Sequence, residues 1–268
     1  MLDMSAYFAR IGYEGTPRVD LATLQTLHLL HPAAIVFENL DPLLGRPVPL
    51  DIPALQAKLV ASRRGGYCFE QNTLFKAVLE KLGFSVTPLA ARVLWMAPAG
   101  APPNPRAHMV LKIELEEGAY LADVGFGGLL ASSPLRLVYG VEQETPTGIL
   151  RLVERDGHVT LQARLASEWR DVYRFTLEPQ FSIDIEMANW FTSTHPNSRF
   201  RNALMVQRLT PNGRVSLLNR RLARRFVDGR VEEGMLTDAR ELEETLGAEF
   251  GIEPPADLAP VFARLPAG

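Results

Sequence analysis

The sequence predicts an α+β protein in three parts: a helical first third, a β-rich middle and a mixed final third. Three patterns support this fold class. Apolar residues recur at helical spacing before residue 85, short strand-like segments with turn signals fill the middle, and hairpin signals precede an amphipathic segment near the end. Strands this short and this closely spaced are typical of a small barrel or sandwich.

Three helical segments in the first third carry their own start and stop signals. Asp20 stands before a leucine-rich stretch and Asp51 before a proline in the first turn, as expected of helix N-caps. The third segment begins near Cys68, has apolar residues at i, i+4 and i+8, and ends at Gly83. Cys68 is therefore predicted at or near a helix start, with Gly65-Gly66 as a flexible approach.

The middle third alternates strand-like segments with turns. Asp156-Gly157 predicts a tight hairpin, and the Pro- and Gly-rich stretch 97–106 predicts a loop. The predicted strands cover residues 86–95, 107–115, 119–128, 148–154, 158–165 and 169–177.

The final third mixes hairpins with one helix. Pro211-Asn212-Gly213 and Asp228-Gly229 predict two hairpin turns. Residues 237–250 predict an amphipathic helix that starts with the capping spacing of Asp238 and Glu241. The Pro- and Ala-rich tail after Ile252 is expected to be irregular.

The composition narrows the classes of partner. The chain has 268 residues and a formal net charge of −3, and its basic run at 220–225 is followed by acidic residues. We therefore expect no nucleic-acid interface. The N-terminus lacks the order of a signal peptide, and the apolar stretch 27–37 is too short for a bilayer span. A cytoplasmic protein without a membrane partner is the expectation.

The histidines and the single cysteine argue against a metal site. Cys68 is the only cysteine, which excludes an intramolecular disulfide and a Cys-rich zinc site. The five histidines are scattered, and the two that lie close together, His28 and His31, have no carboxylate to complete a ligand set. No metal cofactor is expected.

Two interpretations of Cys68 follow from its surroundings. A cysteine nucleophile reacts as the thiolate, which both a helix N-terminus and a nearby imidazole favour. Gly65-Gly66 would also let a substrate carbonyl approach backbone N–H groups that could hold an oxyanion. The alternative is a small buried residue at a helix start, and the local sequence leaves both interpretations open.

His108 and Asp123 are the candidate base and its orienting carboxylate. His108 opens a predicted strand and lies on the face opposite Met109. If Glu117-Gly118 form the turn, Asp123 faces Lys112, on the same sheet face as His108. The two residues would then be four positions apart along the ladder, or roughly 13 Å. Twist, a bulge or a different pairing must close that gap.

Together these residues resemble the arylamine N-acetyltransferases. The resemblance is carried by RRGGYCFEQN at 63–72, by His108 at a strand start, and by Asp123 in DVGFGG. FENL at 37–40 and HPNSRFRNALMVQR at 195–208 also resemble segments of that family. The likeness runs from about Tyr7 to the final helix. It implies a Cys-His-Asp triad of Cys68, His108 and Asp123.

The resemblance implies a fold of three subdomains and an activity. A helical bundle at 1–85 would carry the nucleophile, a β-barrel at 86–190 the histidine and aspartate, and an α/β lid would occupy 191–268. This division agrees with the three parts predicted from residue patterns. Cys68 would take an acetyl group from acetyl-CoA and pass it to an arylamine or hydrazine, with ping-pong kinetics.

Further site residues follow from the resemblance alone. Gly127-Gly128 would offer backbone contacts to CoA, and Glu38 and Arg64 would form a structural ion pair near the nucleophile. An aromatic pocket for the amine would be lined by Phe37, Phe126 and Phe200.

Three other functions stay open on the sequence. An amide synthase of the same fold would act on a biosynthetic acyl chain and need a larger pocket around Phe126 and Phe200. A thiol hydrolase of the transglutaminase type shares the Cys, His, Asp order but admits water to the acyl-enzyme. A non-catalytic binding or redox-sensing protein would use Cys68 only as a thiol and form no acyl adduct.

Overall fold

The chain folds as an α+β protein with one helical region and two sheet regions. The computed structural model describes residues 2–98, 100, 102–128 and 131–266. Within these ranges, helices dominate up to residue 82, an eight-stranded antiparallel sheet follows, and a five-stranded antiparallel sheet lies in the C-terminal part. The predicted fold class is confirmed by this arrangement.

Capping residues start and end the N-terminal helices where they were predicted. The carboxylates of Asp20 and Asp51 each accept a hydrogen bond from the amide three residues on, at 2.8 and 3.0 Å. Gly83 takes the left-handed conformation, with φ 98°, and ends the third predicted helix. A π-helical turn at Gln56–Ala61 was not predicted. The elements of this region are α1 (Met4–Ile11), α2 (Leu21–Ala34), β1 (Phe37–Glu38), α3 (Leu40–Leu44), α4 (Ile52–Leu55) and α5 (Cys68–Leu82).

The eight-stranded sheet curls into a nearly closed barrel, as predicted. Its strands are β2 (Ser85–Val93), β3 (His108–Leu115), β4 (Gly118–Ala122), β5 (Leu135–Arg136), β6 (Glu142–Thr145), β7 (Gly148–Arg155), β8 (His158–Leu165) and β9 (Glu168–Phe175). The order across the sheet is β5-β4-β3-β2-β9-β8-β7-β6. The two edges meet through Gln143, whose amide bonds the backbone N–H and C=O of Arg136 at 2.8 and 2.9 Å.

The predicted strand boundaries hold except at one strand that matters for the site. The predicted strand 119–128 ends at Ala122, because the Asp123 carboxylate accepts the Gly125 amide at 2.9 Å and turns the chain. The Asp156-Gly157 hairpin is present, with positive φ at both residues. The short strands β5 and β6 were not predicted. The loop 97–106 has no helix or strand in its described residues; 99 and 101 lie outside them.

Strand β3 is buried on both faces and joins the helical region to the barrel. Met109, Leu111 and Ile113 pack in one apolar cluster with α5, whereas Val110 belongs to the cluster inside the barrel. His108, the first residue of this strand, therefore lies where the two cores meet.

The C-terminal part is an α/β unit that takes one strand from the N-terminal region. β1 pairs with the first strand of this part, placing Phe37 opposite Gln207 and Glu38 opposite Val206. Both predicted hairpin turns, at 211–212 and 228–229, are present. The elements are α6 (Ser182–Thr194), α7 (Arg199–Asn202), β10 (Met205–Thr210), β11 (Gly213–Leu218), β12 (Arg221–Phe226), β13 (Val231–Met235), α8 (Ala239–Phe250) and α9 (Ala259–Arg264).

The end of the chain differs from the prediction. The Asp238 cap and the apolar stripe of α8 are as predicted, with the carboxylate accepting the Glu241 amide at 2.8 Å. The expectation of an irregular tail is wrong, because α9 forms at Ala259–Arg264. Val261 and Phe262 bury their side chains in the same apolar cluster as α8, and this burial stabilises a short helix that periodicity alone does not predict.

Candidate active site

The loop before Cys68 is fixed by backbone hydrogen bonds to β1. The Gly66 amide donates to the Val36 carbonyl at 3.2 Å, and the Glu38 amide donates to the Gly66 carbonyl at 3.1 Å. The Tyr67 amide then donates to the Glu70 carboxylate at 3.2 Å, which caps the start of α5. Cys68 is thus held as the first residue of α5, as predicted.

The two glycines before Cys68 have a packing role. Both are buried. A Cβ on Gly65 would lie 2.2 Å from the Val36 carbonyl oxygen, and one on Gly66 would lie 2.7 Å from the Glu70 carboxylate. The Gly66 N–H is bonded to the Val36 carbonyl and is therefore not available to hold an oxyanion.

His108 and Asp123 are in direct contact. His108 Nε2 donates to Asp123 Oδ2 at 2.7 Å, and both side chains are 3 % exposed. The expected gap of four ladder positions is absent for two reasons. The turn is formed by Glu116 and Glu117, so Leu115 pairs with Gly118 and the register shifts by two residues. Asp123 also lies just beyond the end of β4 and is free of the ladder.

Asn72 and His28 hold the segment that carries Asp123. Asn72 Nδ2 donates to Asp123 Oδ1 at 3.0 Å, and its Oδ1 accepts the Val124 amide at 3.1 Å. His28 Nε2, from α2, accepts the Asp123 amide at 3.0 Å. Sequence reasoning missed both roles. Asn72 closes the RRGGYCFEQN segment, which is a usable signal, whereas nothing in the local sequence of His28 indicates its partner.

Charge stabilises the buried pair. Burial alone would lower the pKa of His108, but the Asp123 carboxylate and hydrogen bonds to Asp123 and Cys68 outweigh it and raise that pKa well above its ordinary value. Burial would raise the pKa of Asp123, yet His108, with hydrogen bonds from Asn72 and Gly125, brings it below its ordinary value. An imidazolium–carboxylate pair therefore predominates at neutral pH.

Cys68 lies beside His108 and Asp123 and completes the predicted group of three residues. Its thiol is close enough to His108 to contribute to the raised pKa of that residue, and Sγ is 3.8 Å from the Ala107 carbonyl oxygen. Because Nε2 of His108 is bonded to Asp123, Nδ1 is the ring nitrogen free to face the thiol. The backbone of Gly125 comes so close that a Cβ there would lie 2.7 Å from the Cys68 Cα. The order thiol, imidazole, carboxylate is the arrangement that nucleophilic catalysis requires.

Aromatic rings lie near His108 and near the residue before Cys68. Phe126 and Tyr173 stand 5.2 and 5.1 Å from the His108 ring, centroid to centroid. Phe200 lies 5.1 Å from Tyr67 and 6.3 Å from Phe37. Sequence reasoning did not find Tyr173, which faces into the barrel from β9.

The predicted glycine pair lies between these rings. A Cβ on Gly127 would approach the Phe37 ring to 2.3 Å, and one on Gly128 would approach the rings of Phe126 and Trp95 to 2.8 and 3.3 Å. Gly127 is exposed and Gly128 half-buried, so both backbones border the aromatic surfaces at a point open to solvent.

A buried ion network supports the loop before Cys68. Arg64 donates to Glu38 through Nε and Nη2 at 2.9 and 2.7 Å, so the implied ion pair is present. Lys58 contacts Asp41 and Glu70, each at 2.6 Å. Burial raises the pKa of Glu70 to about 7, and the nearby Lys58 only partly counters this.

Two other kinds of site were sought in the described ranges. No group of three or more His, Cys, Asp or Glu side chains there could hold a metal ion. No helix in those ranges is long and apolar enough to cross a membrane.

Comparison with known proteins places this arrangement in a family. A family model described as N-acetyltransferase matches residues 20–258. The arylamine N-acetyltransferase of Mycolicibacterium smegmatis is 43% identical over 94% of this chain and 92% of its own length. That of Escherichia coli K12 is 41% identical over 93% of this chain and 88% of its own.

Solved structures agree with the sequence comparison. The arylamine N-acetyltransferase of M. tuberculosis superposes with a TM-score of 0.91 at 42% identity, covering 97% of this chain and 96% of that one. The M. marinum enzyme, solved in complex with CoA, gives a TM-score of 0.90 at 42% identity, covering 93% of each chain. The chain described here therefore belongs to the arylamine N-acetyltransferase family.

Proposed function

We propose that this protein transfers an acetyl group from acetyl-CoA to the nitrogen of an arylamine or arylhydrazine, through an acetyl-Cys68 intermediate. The observation that carries the proposal is the buried contact of His108 with Asp123, at 2.7 Å, beside a thiol at the start of α5. Its relatives bear the name of this activity, and one of them was solved with CoA. No metal enters the proposed reaction.

In the first half-reaction, Cys68 is acetylated. Cys68 reacts as the thiolate beside the His108 imidazolium, whose Nδ1 carries the proton that the thiol has given up, and the sulfur attacks the thioester carbonyl of acetyl-CoA. The tetrahedral intermediate expels the CoA thiolate, which takes the proton back from His108 and leaves as free CoA. One thioester replaces another, so this step is close to balanced in energy. Asp123 fixes the tautomer of His108 and stabilises its charged form.

In the second half-reaction, the amine takes the acetyl group. The lone pair of an arylamine is available at pH 7 because such amines are weak bases. The nitrogen attacks acetyl-Cys68, His108 accepts a proton from it, and the Cys68 thiolate is expelled as the amide forms. CoA leaves before the amine reacts, which produces ping-pong kinetics.

The remaining assignments are part of the same proposal. Gly127-Gly128 contact CoA through their backbone, and the division at residues 85 and 190 separates helical bundle, barrel and lid. A free cysteine and the use of acetyl-CoA support a cytoplasmic location. The amine pocket is assigned to Phe37, Phe126 and Phe200. Phe126 stands 5.2 Å from the His108 ring, and Phe200 lies 5.1 Å from Tyr67, the residue before Cys68, which supports the assignment.

Intact-protein mass spectrometry after incubation with acetyl-CoA tests the function. We expect one acetyl group on the wild-type protein, none on Cys68→Ser, and its loss when an arylamine or hydrazine is added. An unmodified wild type would contradict the proposal and favour a non-catalytic thiol. Loss of the acetyl group to water alone would indicate a hydrolase. Acylation by a large biosynthetic acyl donor but not by acetyl-CoA would indicate an amide synthase.

A further inference from the structure

A concave surface lies where α1, α2, β10 and the end of α8 meet. Its volume of about 330 Å³ falls in the range of roughly 300–1,000 Å³ that ligand pockets occupy. Three arginines line it: Arg10 of α1, Arg63 in the loop before Cys68, and Arg208 of β10. We call these three residues the arginine cluster.

Strand β10 separates the concavity from the barrel. Alternate residues of a strand face opposite sides of a sheet, so Arg208 shares a face with Val206 and not with Leu209. Val206 packs in the apolar cluster of α8, whereas Leu209 packs in the cluster inside the barrel. Neither Cys68 nor His108 is among the described residues that line the concavity. The concavity is therefore a separate surface from the candidate active site.

Acidic side chains do not neutralise the arginine cluster. Within the described ranges none of its three guanidinium groups pairs with a carboxylate, and the Glu249 carboxylate at the end of α8 pairs with Arg224 instead. Burial, together with the charges of Arg63 and Arg208, lowers the pKa of Arg10 to about 10. The folded protein thus holds three mutually repelling cations around one concavity, and a bound anion would relieve that repulsion.

Backbone carbonyls at helix ends use only part of the hydrogen-bonding capacity of the cluster. Arg10 donates through Nε and Nη2 to the carbonyls of Leu59 and Arg63, at 3.0 and 3.3 Å. Arg208 likewise uses Nε and Nη1 on two carbonyls, at 3.3 and 3.4 Å. Such contacts stabilise helix C-termini. They leave Nη1 of Arg10 and Nη2 of Arg208 without an acceptor among the described residues.

Packing does not explain why an arginine occupies position 63. The side chain of Arg63 is exposed and donates no hydrogen bond to any described residue. Its backbone takes φ 52°, a left-handed conformation at the end of the π-helical turn, where glycine or asparagine is usual. A long cationic side chain kept at such a position, in one concavity with two other arginines, indicates a ligand.

The walls of the concavity select an organic phosphate. Guanidinium groups carry only hydrogen-bond donors and bind phosphate oxygens in pairs, and a phosphate monoester is close to dianionic at neutral pH. Three cations suit a dianion better than a singly charged carboxylate. Apolar side chains line the rest of the surface: Ile11 and Phe250 are buried, and Leu30 is half-buried. We propose that this concavity binds a small organic phosphate, with the phosphate at the arginine cluster and an apolar organic group against these three side chains. The site goes beyond the proposed acetyl transfer and does not depend on it.

Calorimetric titration with phenyl phosphate tests the site without requiring acetyl transfer. The variant is Arg63→Gln, because this guanidinium group makes no hydrogen bond to a described residue whose loss would weaken the fold. Arg221→Gln is the control, since it removes the same charge at an exposed arginine of β12 that pairs with Glu233 at 2.5 Å. We expect Arg63→Gln to weaken binding about tenfold, as for one lost hydrogen bond to a charged group, and Arg221→Gln to bind like wild type. No binding to wild type at millimolar concentration, an unchanged affinity in Arg63→Gln, or equal losses in both variants would overturn the proposal.

A conservative variant and two simpler anions test the chemistry of the ligand. Arg63→Lys keeps the charge but loses the planar fork, and it should recover only part of the affinity for phenyl phosphate. Inorganic phosphate lacks the apolar group and benzoate lacks the second charge, so each should bind wild type several-fold more weakly than phenyl phosphate. Full recovery in Arg63→Lys, or equal binding of either simpler anion, would overturn the assignment to an organic phosphate.

Competition with CoA shows where phenyl phosphate binds. In Cys68→Ser, titration in the presence of saturating CoA should leave the affinity for phenyl phosphate unchanged, because the concavity is separated from the barrel by β10. Displacement by CoA would place phenyl phosphate at the site of the cosubstrate and overturn the proposal.

Discussion

The imidazole of His28 accepts a hydrogen bond from the backbone amide of Asp123 at 3.0 Å, although the residues are far apart in the chain. Burial lowers the pKa of His28 to about 4, so the ring is neutral at pH 7 and its Nε2 can accept. His28 thereby fixes the backbone from which the Asp123 carboxylate reaches His108. It acts as a positioning residue, one step removed from the reacting atoms.

Replacing His28 tests this positioning role. In His28→Leu the Asp123 amide is left buried without an acceptor, which costs about 1–3 kcal/mol. We expect acetylation of Cys68 to slow at least tenfold in a single-turnover assay. His28→Gln keeps an acceptor oxygen and should recover part of the rate. If both variants lose the same rate, the hydrogen bond to Asp123 is not what His28 contributes.

The Asp123 carboxylate is expected to govern the acetylation rate. Asp123→Asn keeps the shape of the side chain but removes the charge that stabilises the His108 imidazolium. By analogy with other Asp-His-nucleophile groups, we expect the rate of acetylation to fall about 10³–10⁴-fold. Circular dichroism should show an unchanged fold. A rate within a few-fold of wild type would remove Asp123 from the mechanism.

Asp123→Asn should also change how the free energy of unfolding depends on pH. The raised pKa of His108 means its contribution is full below the ordinary histidine value of about 6.5 and is lost as pH rises through the raised value. The lowered pKa of Asp123 means its contribution is full above about 3.9 and is lost as pH falls. In urea unfolding, the difference in the free energy of unfolding between wild type and Asp123→Asn should therefore be larger at pH 5.5 than at pH 8.5 and above. A difference that does not depend on pH would contradict the ion pair.

Local signals predict much of this fold because caps and hairpins are decided by neighbouring residues. Asp20, Asp51 and Gly83 each satisfy backbone groups within their own turn, so their roles are visible in the sequence. The contact of His108 with Asp123 depends instead on strand register. The turn that sets the register is a pair of glutamates with no hairpin signal, and Gly118 misleads because it is the first residue of β4.

Contacts between distant segments account for most of what the sequence does not predict. The packing of Gly65 against Val36 and the bond from His28 to Asp123 join residues that only the folded chain brings together. Helix α6 was missed because four large apolar residues on it or at its N-terminus face solvent, contrary to the usual amphipathic pattern. These are Phe181, Ile183, Met187 and Trp190.

Breaking the buried ion network beneath the loop before Cys68 should strongly lower the free energy of unfolding. Arg64 and Glu38 are 11 and 0 % exposed, so Arg64→Met leaves a buried carboxylate without its partner. We expect a loss of about 3–5 kcal/mol in the free energy of unfolding. Lys76→Met breaks an exposed pair with Glu80 and should cost less than about 0.5 kcal/mol. Urea denaturation measures both, and equal losses would contradict a buried network.

Two glycine-to-alanine substitutions should act in opposite directions. A Cβ on Gly125 would lie 2.7 Å from the Cys68 Cα and 2.9 Å from Asn72 Nδ2, so Gly125→Ala should destabilise the fold by about 1–3 kcal/mol and slow acetylation. Gly247 lies inside α8 with no atom within 4 Å of such a Cβ. Gly247→Ala should stabilise by up to about 1 kcal/mol and leave activity unchanged. Thermal unfolding and the acetylation assay check both, and a tolerated Gly125→Ala would argue against close packing at Cys68.

Acid stability should depend on the buried histidines. Burial lowers the pKa of His31 to about 3, although its ring nitrogens bond Tyr7 and Gln71, both at 2.7 Å. The unfolded chain protonates this histidine near pH 6.5 and the folded chain does not. Its contribution is therefore full above 6.5 and is lost as pH falls, by about 2 kcal/mol between pH 7 and pH 5.

Between pH 7 and pH 5, Glu70 changes the free energy of unfolding in the direction opposite to His31. The effect of His31 is therefore measured as the difference in unfolding free energy between wild type and a His31 variant. Its pKa of about 7 lets the folded chain take up a proton before the unfolded chain does, which raises stability as pH falls. Lowering the pH from 7 to 5 should destabilise wild type by about 2 kcal/mol relative to His31→Gln, as measured by the difference between their free energies of unfolding. The exposed His158→Gln is the control and should track wild type. A constant gap would mean that His31 takes up its proton as readily in the folded protein as in the unfolded chain.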